Sequence, residues 1–455
     1  MRSLHKTVDI RSLILAPICR AIRFGYRWLA MIVFAGSLQI TTVKLHGEET
    51  EAGERKFHVA MFTPRDQDDA FWGPFVDFMG EVSDDLGIQL EVFFAGNSRN
   101  RMVSQIRDVC DREDKPDAIV FQSFKRGGPR FLRIAERRQV PAVLVNAGLQ
   151  PEQSEELGQP RTKLTYWLAE VLPDDYDAGF QLANALIDEA LRSPRRLAAD
   201  GKLHVIGLSG VVSDGASIQR MAGLHDAIAK RSDEVVLDQV VAADWSQELA
   251  RFRCRILHRR YPESSVIWSA SDAMAIGAIA AMQDRGKTPG TDVIIGGVDA
   301  TPEALDLIAQ KVLFATVGGH VMEGGWCIVL LHDFFHGIDL ARIPTLYDSP
   351  MRLITRGNLA AYRAVLSRET WQKTDFRQFS LLNRPNQSTY RFDLGRVAAG
   401  AGIENSLGIE HPTGTKRKLG PGQDNRSRVN TGSENDSVNP VETELSETHR
   451  DGDSR

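Results

Sequence analysis

The stretch Lys202-Leu-His-Val-Ile-Gly-Leu-Ser-Gly-Val-Val-Ser-Asp-Gly-Ala-Ser-Ile-Gln-Arg-Met-Ala-Gly-Leu-His-Asp226 decides the fold. Leu203 to Leu208 is a short apolar run centred on Val205 and Ile206, the pattern of a buried strand. Gly207, Ser209, Gly210 and Gly215 then break the pattern and turn the chain. From Ser217 a helical period begins, with Ile218, Met221, Leu224 and Ile228 at three- and four-residue steps. Strand, open loop and helix in that order place the loop at the carboxyl edge of a parallel α/β sheet, where ligands bind. Arg220 falls in the first turns of the helix, beside that edge. Alone it reads as a solvated arginine; at a cleft its planar guanidinium would donate hydrogen bonds to a polar ligand. No Gly-Lys-Ser/Thr follows the glycines, which argues against a nucleotide loop.

Working outward from this unit, alternation of strand and helix runs in both directions. Strands are predicted over Phe57–Phe62, Ile88–Phe94, Ala118–Phe121, Val140–Val145 and Leu164–Leu172. Helices are predicted over Trp72–Leu86, Met102–Cys110 and Phe131–Arg137, with a polar insertion at Gln150–Lys163. Asp174 or Asp175 caps a new helix to Leu191, and the alternation repeats through strands Val235–Val241, Ser265–Trp268, Val293–Val298 and Phe314–Val317. Leu346–Ile354 reads as one strand and Asn358–Val365 as a last helix. Two consecutive α/β units of similar size predict two doubly wound lobes rather than one extended sheet.

Composition narrows the function. The 455 residues are 42% hydrophobic and 25% charged, with a net charge of −5 that gives no support for nucleic-acid binding. Cys19, Cys110, Cys254 and Cys327 are scattered without C-x-x-C spacing, so neither a zinc site nor a disulfide framework is indicated. Arg11, Arg20, Arg23 and Arg27 precede the apolar run Trp28–Leu38, the layout of an export signal, with an uncleaved anchor as the alternative. After Phe392 no aromatic residue occurs, so the tail is expected to be disordered. No nucleophile elbow, H-E-x-x-H, Walker loop or dinucleotide fingerprint appears, which argues against an enzyme.

Seven ordered motifs between Phe57 and Arg368 resemble the type I periplasmic sugar-binding proteins of ABC importers, such as the ribose- and galactose-binding proteins. Asp69-Ala-Phe71-Trp72 resembles the family's Asn-Pro-Phe-Phe, and Asn146 follows Val-Pro-x-Val where the family has Asp. Asp174-x-x-x-Ala-Gly179 and Arg220-x-x-Gly-Leu resemble Asp-Asn-x-x-Ala-Gly and Arg-x-x-Gly-Phe. Ala243-Asp-Trp245 matches a loop that supplies a binding aromatic. Ser271-Asp-Ala-Met-Ala-x-Gly-Ala278 and Gly297-Val-Asp299-Ala-Thr-Pro complete the set. Ala147 stands where the ribose-binding proteins carry an arginine, and Gly318-Gly-His320 replaces a Gln-rich hinge stretch.

The resemblance implies two Rossmann-like lobes joined by a multi-strand hinge. On that pattern 1–40 is a signal peptide or anchor and 41–56 a linker. The first lobe is 57–172 plus 319–350 and the second 173–318 plus 351–370. A C-terminal extension, 371–455, is expected to be largely disordered from about 393. The implied ligand site comprises Asp69, Phe71, Trp72, Asn146, Arg220, Trp245, Ser271, Asp299 and His320, with no catalytic residue, metal or cofactor. Phe71 and Trp72 read either as rings stacking on a sugar face or as core, and His320 as a cleft residue or the partner of a backbone group. Asp272 reads as a helix N-cap and Glu323 as a capping residue. The expected protein is a periplasmic monomer that binds a sugar or polyol and presents it to an ABC permease. A sensor-kinase subunit is the alternative, and a lac-repressor-like effector is disfavoured by the absence of a helix-turn-helix pattern.

Overall fold

The computed structural model describes residues 56–400 apart from 341, 342, 350, 385 and 393. The leader 1–40, the linker up to residue 55 and the tail beyond 400 therefore lie outside the described residues. The first unit runs β1 (His58–Thr63), α1 (Trp72–Asp85), β2 (Gln89–Phe94), α2 (Arg99–Cys110), β3 (Ala118–Phe121), α3 (Gly128–Arg138), β4 (Ala142–Val145), α4 (Pro151–Leu157) and β5 (Trp167–Pro173). The second runs α5 (Asp175–Leu191), β6 (Leu203–Ser209), α6 (Gly215–Ala229), β7 (Val235–Ala242), α7 (Gln247–Arg260), β8 (Val266–Ser269), α8 (Asp272–Gln283), β9 (Ile294–Val298), α9 (Pro302–Ala309) and β10 (Ala315–Gly318). The described residues end with α10 (Glu323–Phe335), β11 (Leu346–Ser349), β12 (Arg352–Thr355), α11 (Leu359–Val365), α12 (Arg368–Lys373) and α13 (Leu394–Gly400).

These strands form two six-stranded sheets, ordered β11-β5-β4-β3-β1-β2 and β12-β10-β9-β8-β6-β7. Every neighbouring pair is parallel except β10 with β12. Because parallel strands need helical crossovers that cover both faces, the central strands β3, β4 and β8 are buried throughout. In each sheet the winding direction reverses between the first and third strands of the unit, β1 and β3, then β6 and β8. That reversal leaves a crevice at the carboxyl ends of the strands.

Three expectations change. The stretch Leu346–Ile354 is two strands in different sheets, Leu346–Ser349 in the first and Arg352–Thr355 in the second, so the chain passes from one lobe to the other between them. The polar insertion holds a short helix, α4, whose start is closed by Gln150 and Gln153 in a reciprocal capping pair. The extension holds a helix, α13, at residues 394–400. Leu394, Val397 and Ala398 are buried on α13, so three apolar residues at helical spacing fold a segment that lacks aromatics.

Helices α5 and α6 cross closely because glycines sit at the contact. A Cβ on Gly179 would lie 2.0 Å from the Arg220 carbonyl oxygen, and one on Gly223 would lie 2.1 Å from the Tyr176 carbonyl oxygen. The Ala-Gly179 and Arg220-x-x-Gly223 motifs are thus two halves of one helix contact, and that contact brings Arg220 to the start of α5.

Candidate interlobe ligand site

A cleft of about 430 Å³ opens between the carboxyl edges of the two sheets. Its lining includes all nine residues expected from the sequence. Asp69, Phe71, Trp72 and Asn146 come from the first lobe, and Arg220, Trp245, Ser271 and Asp299 from the second. His320 comes from the crossing that follows β10. At the mouth the lobes meet, where Gln150 Nε2 lies 2.9 Å from the place a Cβ on Gly215 would occupy.

Arg220 is only 4% exposed, so it is not the solvated arginine that the residue alone suggests. Its Nε donates to Asp175 Oδ1 at 2.7 Å, and one terminal nitrogen donates to the Ala270 carbonyl at 2.7 Å and to Asp299 Oδ1 at 3.3 Å. The other lies 3.5 Å from His320 Nε2. Burial opposes its charge, but Asp175 and Asp299 more than offset that, and the guanidinium is held firmly protonated. With most donors engaged, Arg220 organises the floor of the cleft.

The aromatic residues divide between wall and support. Phe71 is half-buried and stacks on the His320 ring, with centroids 4.7 Å apart and planes at 27°. Trp72 is nearly buried and meets Phe71 edge-on, so its larger part packs into the core. The Trp245 ring lies 5.7 Å from the Arg220 guanidinium carbon, and its Nε1 donates to Asp214 Oδ2 at 3.1 Å. Its ring lies over Gly210, where an added Cβ would come within 2.1 Å of the indole. Asn146, Asp244 and Trp245 all sit in the left-handed backbone region, with φ of 63°, 52° and 62°, and Asp299 has φ 130°. For a residue as bulky as Trp245 that conformation costs on the order of 1–3 kcal/mol, the kind of strain that gathers at ligand sites.

The polar residues are held individually. Asp69 Oδ1 accepts from the backbone N–H of Phe71 and Trp72, each at 3.0 Å, so one oxygen fixes the start of α1 and the other is left for the cleft. Ser271, not Asp272, is the N-cap of α8: its Oγ accepts from Met274 N at 3.3 Å and its own proton is left to donate. Asp272 is fully buried behind it, accepting from Thr301 N at 2.8 Å and Thr316 Oγ1 at 2.7 Å. Glu323 makes no capping bond either. It is buried beneath Asn146, whose Nδ2 donates to it at 3.4 Å, which turns the amide oxygen of Asn146 away from the carboxylate. Burial, reinforced by Asp175, pushes the Glu323 carboxyl well above the usual range. Burial and Asp299 do the same to Asp272. His320 Nδ1 is buried with no hydrogen-bond partner among the described residues.

Several cleft residues lay outside the sequence reading. Asp175 holds Arg220 from a different helix, and Gln122, Ser123, Gln150, Asp214 and Asp244 line the walls. Gln122 and Ser123 follow β3 directly, so the placement of ligand sites at the carboxyl ends of parallel strands could have pointed to them. Among the described residues no group of His, Cys, Asp and Glu is placed to hold a metal ion, and no helix is long and apolar enough to cross a membrane.

A family model described as periplasmic binding protein domain matches residues 59–334. A ribose import binding protein of Bacillus subtilis (strain 168) is 23% identical over 272 residues, which is 59% of this chain and 78% of that protein. A putative rhizopine-binding protein of Rhizobium meliloti is 26% identical over 282 residues, 61% of this chain and 83% of that one. Among solved structures, a periplasmic sugar-binding protein from Pseudomonas fluorescens matches with a TM-score of 0.66 at 28% identity, over 75% of this chain and 99% of its own.

Proposed function

The chain belongs to the type I periplasmic sugar-binding protein family, which is a family of binding proteins and not of enzymes, and from that membership we propose that it closes its two lobes over a sugar or polyol and delivers it to an ABC permease. The observation that carries the reading is the cleft itself. Phe71 and Trp245 offer ring surface for the apolar face of a sugar, while Asp69, Asn146, Ser271, Asp299 and Arg220 offer acceptors and donors for its hydroxyls. Because these groups come from both lobes, a ligand that touches them all binds the closed form better than the open one and draws the equilibrium toward it. The nine residues of the sequence reading are proposed as its contacts. Export by the apolar run Trp28–Leu38 would place the cleft in the periplasm.

The test is a thermal-shift screen of monosaccharides and polyols, followed by calorimetry on any that raise the melting point. A ligand in this class with micromolar affinity, near −8 kcal/mol, is the expected result. A panel that leaves the melting point unmoved while a non-sugar solute raises it would overturn the reading. Loss of uptake of the identified ligand in a deletion strain tests the permease partner, and fractionation tests export.

A further inference from the structure

The segment after β12 joins the two lobes once more. It begins on the second lobe, where the Asn358 amide donates to the Leu353 carbonyl at 3.0 Å and Arg363 donates to Asp306 of α9 at 2.6 Å. It then lies against the first lobe. Arg368 pairs with Glu81 of α1 at 2.6 Å, and the Phe376 N–H donates to Asp85 at 2.8 Å. The rings of Phe379 and Phe392 each lie 5.0 Å from Trp326 of α10. Asp333, fully buried on α10, accepts from Ser380 Oγ at 2.5 Å, Leu381 N at 2.6 Å and Tyr390 OH at 3.0 Å. Three donors on one buried carboxylate make this end of the segment hard to detach, since freeing it would strand the charge in an apolar setting.

One residue joins the two halves. The Trp371 ring packs edge-on against Phe78 of α1 at 5.0 Å, on the first lobe. Its Nε1 donates, at 2.8 Å and buried, to the carbonyl of Val365, the last residue of α11 on the second lobe. An indole has one donor, and here it spans the joint.

We propose that residues 359–400 act as a strap that limits how far the lobes swing apart, with Trp371 as its joint. The proposal rests on the reading of the protein as a two-lobed closing receptor, but not on the identity of its ligand. A hinge of backbone crossings alone leaves wide opening accessible. A strap anchored on α10 and continuous with α11 removes the widest of those states, because they would require the bond to Val365 and the fit against Phe78 to separate. Apparent affinity equals intrinsic affinity scaled by the population of the binding-competent form, so trimming the open states tightens binding without adding a ligand contact.

The test uses the ligand-free protein. Spin labels go on cysteines placed at Glu155 and Val212, both exposed, one on each lobe; Cys19 is changed to Ser, and Cys110, Cys254 and Cys327 are buried. Trp371→Phe keeps the ring and loses the bond. A second variant inserts Gly-Ser-Gly-Ser between Leu366 and Ser367, leaving both anchors intact but slackening the joint. Pulsed dipolar measurements should show longer and broader label separations in both variants, and no change in Lys373→Ala on the exposed face of α12. Distances that match the parent in the insertion variant would overturn the strap and leave the segment as a cover for α1 and α10, whatever Trp371→Phe does to folding. Because no ligand is needed, this result stands or falls separately from the sugar-binding reading.

Discussion

Arg220 Nε and Asp175 Oδ1 are 2.7 Å apart, and both side chains are buried at the point where the backbone first crosses between the lobes. This pair links α6 to the start of α5 and sets the height of the cleft floor. Arg220→Ala is therefore expected to weaken the fold as well as the site. Removing one partner leaves Asp175 and Asp299 without their cation, a loss of about 3–5 kcal/mol by the usual cost of a broken buried pair. Urea melts of the ligand-free variant measure it; a midpoint equal to the parent's would return Arg220 to a purely ligand-facing role.

Gly210→Ala tests the Trp245 wall by displacing the ring, together with its hydrogen bond to Asp214, while changing no polar side chain. The new Cβ would have to occupy space within 2.1 Å of the indole, so the ring must swing away from Arg220. Affinity for an identified sugar should fall by more than tenfold, roughly 1.4 kcal/mol or more. Unchanged calorimetry would remove Trp245 from the site.

The buried Glu323 predicts a pH dependence. Its folded pKa is raised from 4.5, mainly by burial, so the native state keeps a proton that the unfolded chain releases above that pH. Its contribution is fully present below pH 4.5 and is lost as the pH rises through the folded value. Glu323→Gln stays neutral throughout. The variant should melt with the parent below pH 4.5 and above it at about pH 7 to 8, and parallel curves would contradict the assignment.

Truncation separates the ordered extension from the residues beyond Gly400. A chain ending at Gly400 should bind its ligand within about tenfold of the full-length protein. A chain ending at Leu366 removes Trp371, Phe376, Phe379 and Phe392 from Phe78 and Trp326, exposing a large apolar face. It should melt far lower or aggregate, as differential scanning calorimetry and light scattering would show.

Sequence periodicity reached the order of the strands, because apolar runs mark strands; the nine cleft-lining residues came from the resemblance of their motifs to the periplasmic sugar-binding proteins, not from a local rule. Burial of Arg220 is not local. It depends on Asp175, 45 positions away, and on two glycines that let α5 and α6 approach. The extension escaped for a related reason. Trp371, Phe376, Phe379, Tyr390 and Phe392 share no single period, and their partners on α1 lie hundreds of residues earlier, with others on α10. Ser271 took the capping role expected of Asp272, because adjacent polar residues at a helix start look alike until one is seen to accept from Met274 N.

The first sheet is completed by β11, which pairs with β5 in the register Leu346 to Glu170 and Tyr347 to Val171. During synthesis β5 therefore has a free edge until the chain has grown well past the whole second lobe. Pairings this distant in sequence form slowly, since a long loop must close before any contact rewards it. The first sheet can therefore close only after the second lobe has been made, so the β5 edge is the last part of it to be covered.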